Sequence, residues 1–425
     1  MRQYESYKDS GTEWIGEIPS YWESKRFKYL FDLISTKTNN NLLKVGLENV
    51  ESWTGKFTET DSEFEGEGIH FIKNDILFGK LRPYLAKALL CDFEGQAVGD
   101  FFVFRCKNEI MSHFAINLIL SARFIDYVNG STFGSKMPRA SWDFISNLIV
   151  PIPPIAEQYN ISTYLDKKTS EIDVLIGNKK KLLELYEEEK RAIINQAATK
   201  GITPGVKMKD SGIQWFGGIP ENWEIKQIKH LVSKVGSGVT PSGGASVYQT
   251  IGIPLLRSQN IHFDGLKLDD VAFITEEMHK KMDNSKVLPG DVLLNITGAS
   301  IGRTFYADRS LGQANVNQHV CILRPTKDIE TKYLYYILRS DIGQRQIESE
   351  QTGSGREGLN FAALKDFSIP IAPKKEQLAV VHYLEQECSR LDAKISKATK
   401  EVDLLTEYRT TLISEVVMGK IKVTD

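Results

Sequence analysis

The segment YKDSGTEWIGEIPSYWESKRFKYL (Tyr7 to Leu30) returns 201 residues later as MKDSGIQWFGGIPENWEIKQIKHL (Met208 to Leu231), with 13 of 24 positions identical. Trp14, Pro19 and Trp22 face Trp215, Pro220 and Trp223. A second match runs without a gap at an offset of 219, from about Gly134 to Ile202 against Gly353 to Ile421. Within it PIPPIAEQ (Pro151 to Gln158) faces PIAPKKEQ (Pro370 to Gln377). Between the two matches the copies share only NDILFG, from Asn74, and GDVLLN, from Gly290. A period above 200 residues is a duplicated domain and not a solenoid, so each half should be a folding unit of its own.

Each half divides again. Residues 1–155 and 204–374 hold short β-branched and aromatic runs, FFVFR at 101–105 and HVCILRP at 319–325 among them, punctuated by Gly-rich turns. They read as two globular domains of mixed α/β (α+β) class. Residues 156–203 and 375–425 read as long helices. From Glu157 to about Lys200, and from Glu376 to about Met418, the one helix breaker is Gly177. The second helix carries a seam at Val381, Leu384, Cys388, Leu391, Ile395, Ala398, Val402, Leu405, Arg409, Leu412 and Val416. Ten of these eleven positions are apolar and the mean period is 3.5, the coiled-coil value. More than 40 residues of helix is about 60 Å, longer than a small domain is wide. The two helices are therefore expected to pair with each other.

Composition narrows function by exclusion. Lys and Arg number 53 against 55 Asp and Glu, a net charge of −2, so a globally basic nucleic-acid binder is not indicated and only a local patch remains open. The opening MRQYESYKDSGTEW lacks the apolar core of a signal peptide, and no window approaches eighteen apolar residues. The four cysteines have no paired spacing, which together with these points implies a cytoplasmic chain without a membrane role. GSGREG at 353–358 fits the dinucleotide fingerprint by letter, yet RQIESEQT precedes it where a buried strand is required, so a loop leading into FAALKDF is expected. No P-loop, no Asp/Asn-Pro-Pro-Tyr/Phe motif, no zinc pattern and no nucleophile with base and orienter can be assembled. No catalytic residue and no metal ligand is predicted.

What remains suits nucleic acid. GKLRPYLAK (Gly79 to Lys87) carries Lys80, Arg82, Tyr84 and Lys87 with no acid among them, and Lys136 and Arg139 stand in GSKMPR. In the second copy LLRSQNIH supplies Arg257 and Asn260, NITGASIGR supplies Asn295 and Arg303, and GQANVNQH supplies Asn315 and Asn317. Arg356 lies in GSGREG. Arg and Asn carry the donor and acceptor pairs that match base edges in the major groove, and Lys with backbone N–H groups holds phosphates.

With these residues assembled, the chain resembles the specificity subunits of type I restriction-modification systems over essentially its whole length. The resemblance is carried by the duplicated SGIxWxGxIPxxW-like opening (Ser211 to Trp223, echoed from Ser10 to Trp22), the P-x-x-EQ helix starts and the end EYRTTLISEVVMGKI. SGVTPS at 237–242 is similar to the family's frequent GxTP turn, whereas the first copy has STKTNN at 35–40. The resemblance implies two target-recognition domains, each followed by a helix, the helices forming an antiparallel coiled coil with pseudo-two-fold symmetry. It implies a non-catalytic subunit that reads bipartite double-stranded DNA, one half-site per domain. Two modification subunits that methylate adenine and restriction subunits would be its partners, and S-adenosylmethionine, ATP and Mg would be bound by them. A self-sufficient DNA methyltransferase or nuclease, and a coiled-coil scaffold for proteins, stand as the alternatives.

Overall fold

The apolar run at Phe101 becomes the strand Phe101–Cys106, with Phe101, Val103 and Phe104 buried. In the computed structural model it lies within an antiparallel four-stranded sheet, between Phe31–Ile34 and Ile76–Gly79, with Ala88–Leu90 at the edge. The second copy repeats this order. Val320–Pro325 lies between Val232–Ser237 and Val292–Asn295, with Thr304–Tyr306 at the edge. The structure describes residues 2–38, 42–60, 66–132, 134, 136–214, 216–241, 243–354 and 358–423, without the side chains of 245–246 and 352–354.

The chain divides into two compact units, Met1–Lys181 with Ala398–Asp425, and Leu182–Lys397. Each unit also holds a second sheet of four strands. Its common part is three strands: Leu43–Val45 parallel to Gly95–Ala97, which pairs antiparallel with Gly68–Phe71. The second unit repeats this with Ile253–Leu256, Ala314–Val316 and Lys286–Val287. The fourth strand differs, because Lys37–Thr38 adds beside Gly68–Phe71 whereas Ala272–Ile274 adds beside Ile253–Leu256.

Buried polar groups repeat where the sequences hardly match. Asp75, 1% exposed, takes a bidentate pair from Arg105 at 2.8 and 2.7 Å, and Asp291 takes the same from Arg324 at 2.7 and 2.9 Å. Asn49 Oδ1 accepts from Gly46 N, and Asn260 Oδ1 accepts from Arg257 N, three residues back in each case. Gln96 and Asn315, both buried, occupy matching strand positions. The offsets grow along the chain: Asn49 to Asn260 is 211, Asp75 to Asp291 is 216, Arg105 to Arg324 is 219. Insertions into the second copy therefore hid the match. An unpaired buried polar group is costly, so these residues resist change while apolar neighbours exchange freely.

The two long helices run Ile155–Lys200 and Lys374–Val417. Each stops before a glycine of positive φ, Gly201 at 73° and Gly419 at 71°, a conformation that ends helices and strains other residues. In the first unit Arg409 Nε bonds Asp173 at 2.8 Å and Lys179 pairs with Glu401 at 2.6 Å. Partner numbers fall as the first helix's numbers rise, which makes the pairing antiparallel. Ile161, Leu165 and Ile172 share the first unit's core with Leu412, Ile413 and Val416. In the second unit Ile194, Ala197 and Ala198 share a core with Val381, Leu384 and Cys388, and the buried Lys190 pairs with Asp392. Arg409, the polar member of the expected seam, is 8% exposed and bonds the Trp53 carbonyl as well. The seam's polar positions thus fix register.

The Glu-Gln pair at each helix start has a mechanical role. Gln158 accepts from Met111 N and donates to the carbonyls of Glu109 and Pro153, at 2.8–3.0 Å. Gln377 accepts from Glu330 N and donates to Asp328 and Ala372, at 2.8–3.1 Å. Glu157 gathers Tyr4, Tyr21 and Trp22 Nε1 at 2.8–3.1 Å. The second copy differs here: Glu376 accepts from Asn222, and Trp223 Nε1 has no partner among the described residues. Among the described residues no helix is long and apolar enough to cross a membrane, and no group of three metal-ligating side chains gathers.

Gln158→Ala and Gln377→Ala each remove one amide from three backbone groups. Urea unfolding is expected to show losses of about 2–3 kcal/mol for each, and of similar size in the two units. Gln158→Glu keeps the acceptor for Met111 N and loses both donors, so it should restore little of the loss. Wild-type stability in either alanine variant would show that the amide does not hold the helix start.

Candidate nucleic-acid interface

Two stretches far apart in sequence meet in the first unit. Arg82 N donates to the Pro138 carbonyl and Ala140 N to the Lys80 carbonyl, both at 2.8 Å, with a bridge between Leu81 and Arg139. The stretches that carry Lys80, Arg82 and Arg139 therefore lie side by side, with Lys136 three residues before Arg139, and Arg139 pairs with the carboxylate of Asp100 at 3.1 Å. Lys80 N donates to the Asp100 carbonyl at 2.9 Å, and its ammonium lies 5.4 Å from the centre of the Phe102 ring. Burial holds the Lys80 pKa below the ordinary lysine value. Arg82 and Lys136 are exposed, as is Tyr84 at 45%. Arg82 has φ 51°, in the left-handed region that L side chains seldom adopt. Lys87 does not join the cluster: its ammonium bonds the Leu47 carbonyl at 2.6 Å, so it holds a loop rather than facing a phosphate.

The second unit corrects the choice of asparagines. Asn260 is 1% exposed and donates to Lys267 and Asp270 carbonyls. Asn315 is fully buried, bonded to His279, Met282 and Ser285. Asn295 is fully buried and donates to Ser258 and Ser300, and Asn317 at 6% exposure accepts from His319 N. These amides support the fold and are not at hand for a base edge. Arg257 is turned onto its own loop, donating to the Asp270 carbonyl at 2.9 Å. Arg303 is half-buried, and Arg356 lies outside the described residues. Gly353 and Ser354 end the helix Asp341–Ser354, so a helix stands where the dinucleotide fingerprint needs a strand.

Strand register shows what occupies the second site. Gly79 pairs with Phe101 as Asn295 pairs with Val320, which matches Asp100 to His319 and Gly99 to Gln318. The Leu81–Arg139 bridge recurs as Thr297–Gly358, and Lys80 N to Asp100 O recurs as Ile296 N to His319 O. Where the first unit has Lys80, Asp100 and Arg139, the second has Ile296, His319 and Gly358, and a hydrogen-bonded chain runs through His319. Thr297 Oγ1 meets His319 Nδ1 at 2.6 Å, His319 Nε2 meets Gln318 Nε2 at 3.0 Å, and Gln318 Oε1 accepts the Thr240 hydroxyl. Residue type weighed without the strand's end misses these four side chains. In ANVNQH, residues 315 and 317 are buried and 318 lies exposed past the strand end. Thr240 belongs to the SGVTPS turn, whose Gly238 N donates to the Asn317 carbonyl at 3.1 Å. In the first copy the last two residues of STKTNN, 39 and 40, lie outside the described residues.

A family model described as the type I restriction modification DNA specificity domain matches residues 16–185 and 220–401. The chain is 24% identical over 428 residues to the type I restriction enzyme MjaVIII specificity subunit of Methanocaldococcus jannaschii, covering 96% of this chain and 94% of that one. It is 22% identical to the EcoBI specificity subunit of Escherichia coli, covering 87% and 84%. A solved chain from a study of complex assembly and conformational transition of the type I R-M system shares the fold with a TM-score of 0.74 at 18% identity, covering 95% of this chain and 99% of that chain. The HsdS subunit from Thermoanaerobacter tengcongensis gives 0.50 at 18% identity, covering 95% and 98%.

The SGVTPS turn generates a test of how the second site is built. A Cβ at Gly238 would lie 1.7 Å from the Val316 carbonyl oxygen and 2.8 Å from Ser285 Cβ, whereas one at Gly236 meets nothing within 4 Å. Gly238→Ala is expected to cost about 3 kcal/mol by overpacking. Gly236→Ala should change thermal unfolding little, and equal effects of the two would refute the close approach.

Proposed function

Because the chain belongs to the type I restriction-modification DNA specificity family, we propose that it is the sequence-reading subunit of such a system. It binds bipartite double-stranded DNA, one half-site per unit, and carries out no chemistry itself. Adenine methylation and cleavage belong to two modification subunits and to restriction subunits, which bind S-adenosylmethionine, ATP and Mg. One observation carries this reading. The two units keep one backbone frame at matched positions and furnish it with different side chains, a cationic cluster in one and a hydrogen-bonded Thr240–Gln318–His319–Thr297 chain in the other. Readers of two different half-sites must change the groups that touch bases, because each base presents its own donor and acceptor pattern. The segments 1–155 and 204–374 serve as the recognition domains, and 156–203 and 375–425 as the helical segments.

Within the first site Arg82 and Arg139 suit guanine, whose O6 and N7 accept from a guanidinium, and Lys136 suits a phosphate. The test is methylation-site sequencing of a host with and without this chain and its modification subunits; a split recognition sequence should appear only with it. In the assembled complex Arg82→Ala is expected to cost about 1–3 kcal/mol and relax one position of the first half-site. Lys136→Ala should weaken all sequences alike and lower the salt slope by about 1. Unaltered specificity and salt dependence in both variants would remove this cluster from the interface.

A further inference from the structure

Gln318 is exposed, yet both ends of its amide are held. Thr240 bonds one end and His319 Nε2 the other, the latter at 3.0 Å. His319 is held in turn by Thr297 at 2.6 Å. The backbone beneath is fixed: His319 N donates to Asn317 Oδ1 and Ile296 N donates to the His319 carbonyl, each at 3.0 Å. A primary amide has two N–H donors and two acceptor lone pairs. The protein uses one of each. Turning the amide over would exchange the roles of Thr240 and His319 and still use one of each. Among the described residues one N–H and one lone pair therefore remain unused, in a plane set before any partner arrives.

We infer that Gln318 reads an adenine in the second half-site, donating to N7 and accepting from N6–H in the major groove. The inference rests on the reading of this chain as a DNA-recognition subunit. Adenine offers one acceptor and one donor on that edge. Guanine offers two acceptors, cytosine a donor alone, and thymine an acceptor beside a methyl group. A clamped amide with one of each left over matches adenine, which alone among single bases offers both an acceptor and a donor on that edge. The matching position in the first unit is Gly99, which has no side chain to read with. A frame that is kept while this position changes marks Gln318 as a determinant of specificity.

The experiment uses the full chain assembled with its modification subunits, on duplexes varied one pair at a time. The parent should require A·T at one position of the second half-site and lose affinity when that adenine is 7-deazaadenine. Gln318→Ala should lower discrimination there by about 5- to 150-fold, leaving the first half-site and the salt slope unchanged. Gln318→Glu keeps the acceptors and loses the donors, so its preference should move toward cytosine, whose N4 amino group donates. Gln318→Ala with the parent's full preference at every position would overturn the inference. So would a uniform loss across all sequences. A parent complex with no sequence preference would instead overturn the broader reading, and the inference with it.

Discussion

Three backbone groups from two segments converge on one buried amide in each unit, and the candidate sites depend on that convergence. Gln158 ties the start of a long helix to the loop Glu109–Met111 and to Pro153, and Gln377 does the same with Asp328, Glu330 and Ala372. Those loops are where the central strands Phe101–Cys106 and Val320–Pro325 run out. The opposite ends of the same strands begin beside Asp100 and His319. One end of the central strand is thus clamped to the helix, and the other presents the site. A buried amide with three partners cannot shift without leaving polar groups unpaired, so the strand is positioned from its far end.

Much of this was legible in the sequence, and the reasons are local. The repeat of PIPPIAEQ and PIAPKKEQ announced the helix starts, and the apolar 3.5 period announced the pairing of the helices. The sheet repeat was not legible, because offsets that climb from 201 to 219 break any ungapped comparison. Its signature was a sparse set of buried polar residues, Asp75 with Arg105 and Asp291 with Arg324, separated by apolar runs in which the copies differ. Burial preserves the polar pair and leaves the surrounding side chains free to exchange one apolar residue for another.

The site was legible in place but only partly in residue. GKLRPYLAK and GSKMPR come together as the cationic cluster, because Arg82 and Ala140 knit the two stretches through their backbones. In the second unit the sequence marks the right loops and the wrong amides. Asn side chains are short enough to bond their own neighbouring backbone, which is why Asn260 and Asn317 close turns, while the longer Gln318 extends clear of the strand end. Length and position relative to the strand's end decide whether an amide supports a loop or stands beyond it.

The two sites also divide the physical work of recognition. The cations gathered around Asp100 in the first unit can release counterions from DNA, a source of affinity that falls with salt and is blind to sequence. The Thr240–Gln318–His319–Thr297 chain carries no such cluster and can contribute only by matching donors to acceptors. A chain of net charge −2 gains little from long-range attraction as a whole. Under the proposed function, the first unit then supplies both anchoring and readout, while the second supplies readout that salt should hardly touch. At the positions matched to Lys80 and Arg139 the second unit has Ile296 and Gly358, so under the proposed function phosphate contacts for the second half-site come from outside these positions.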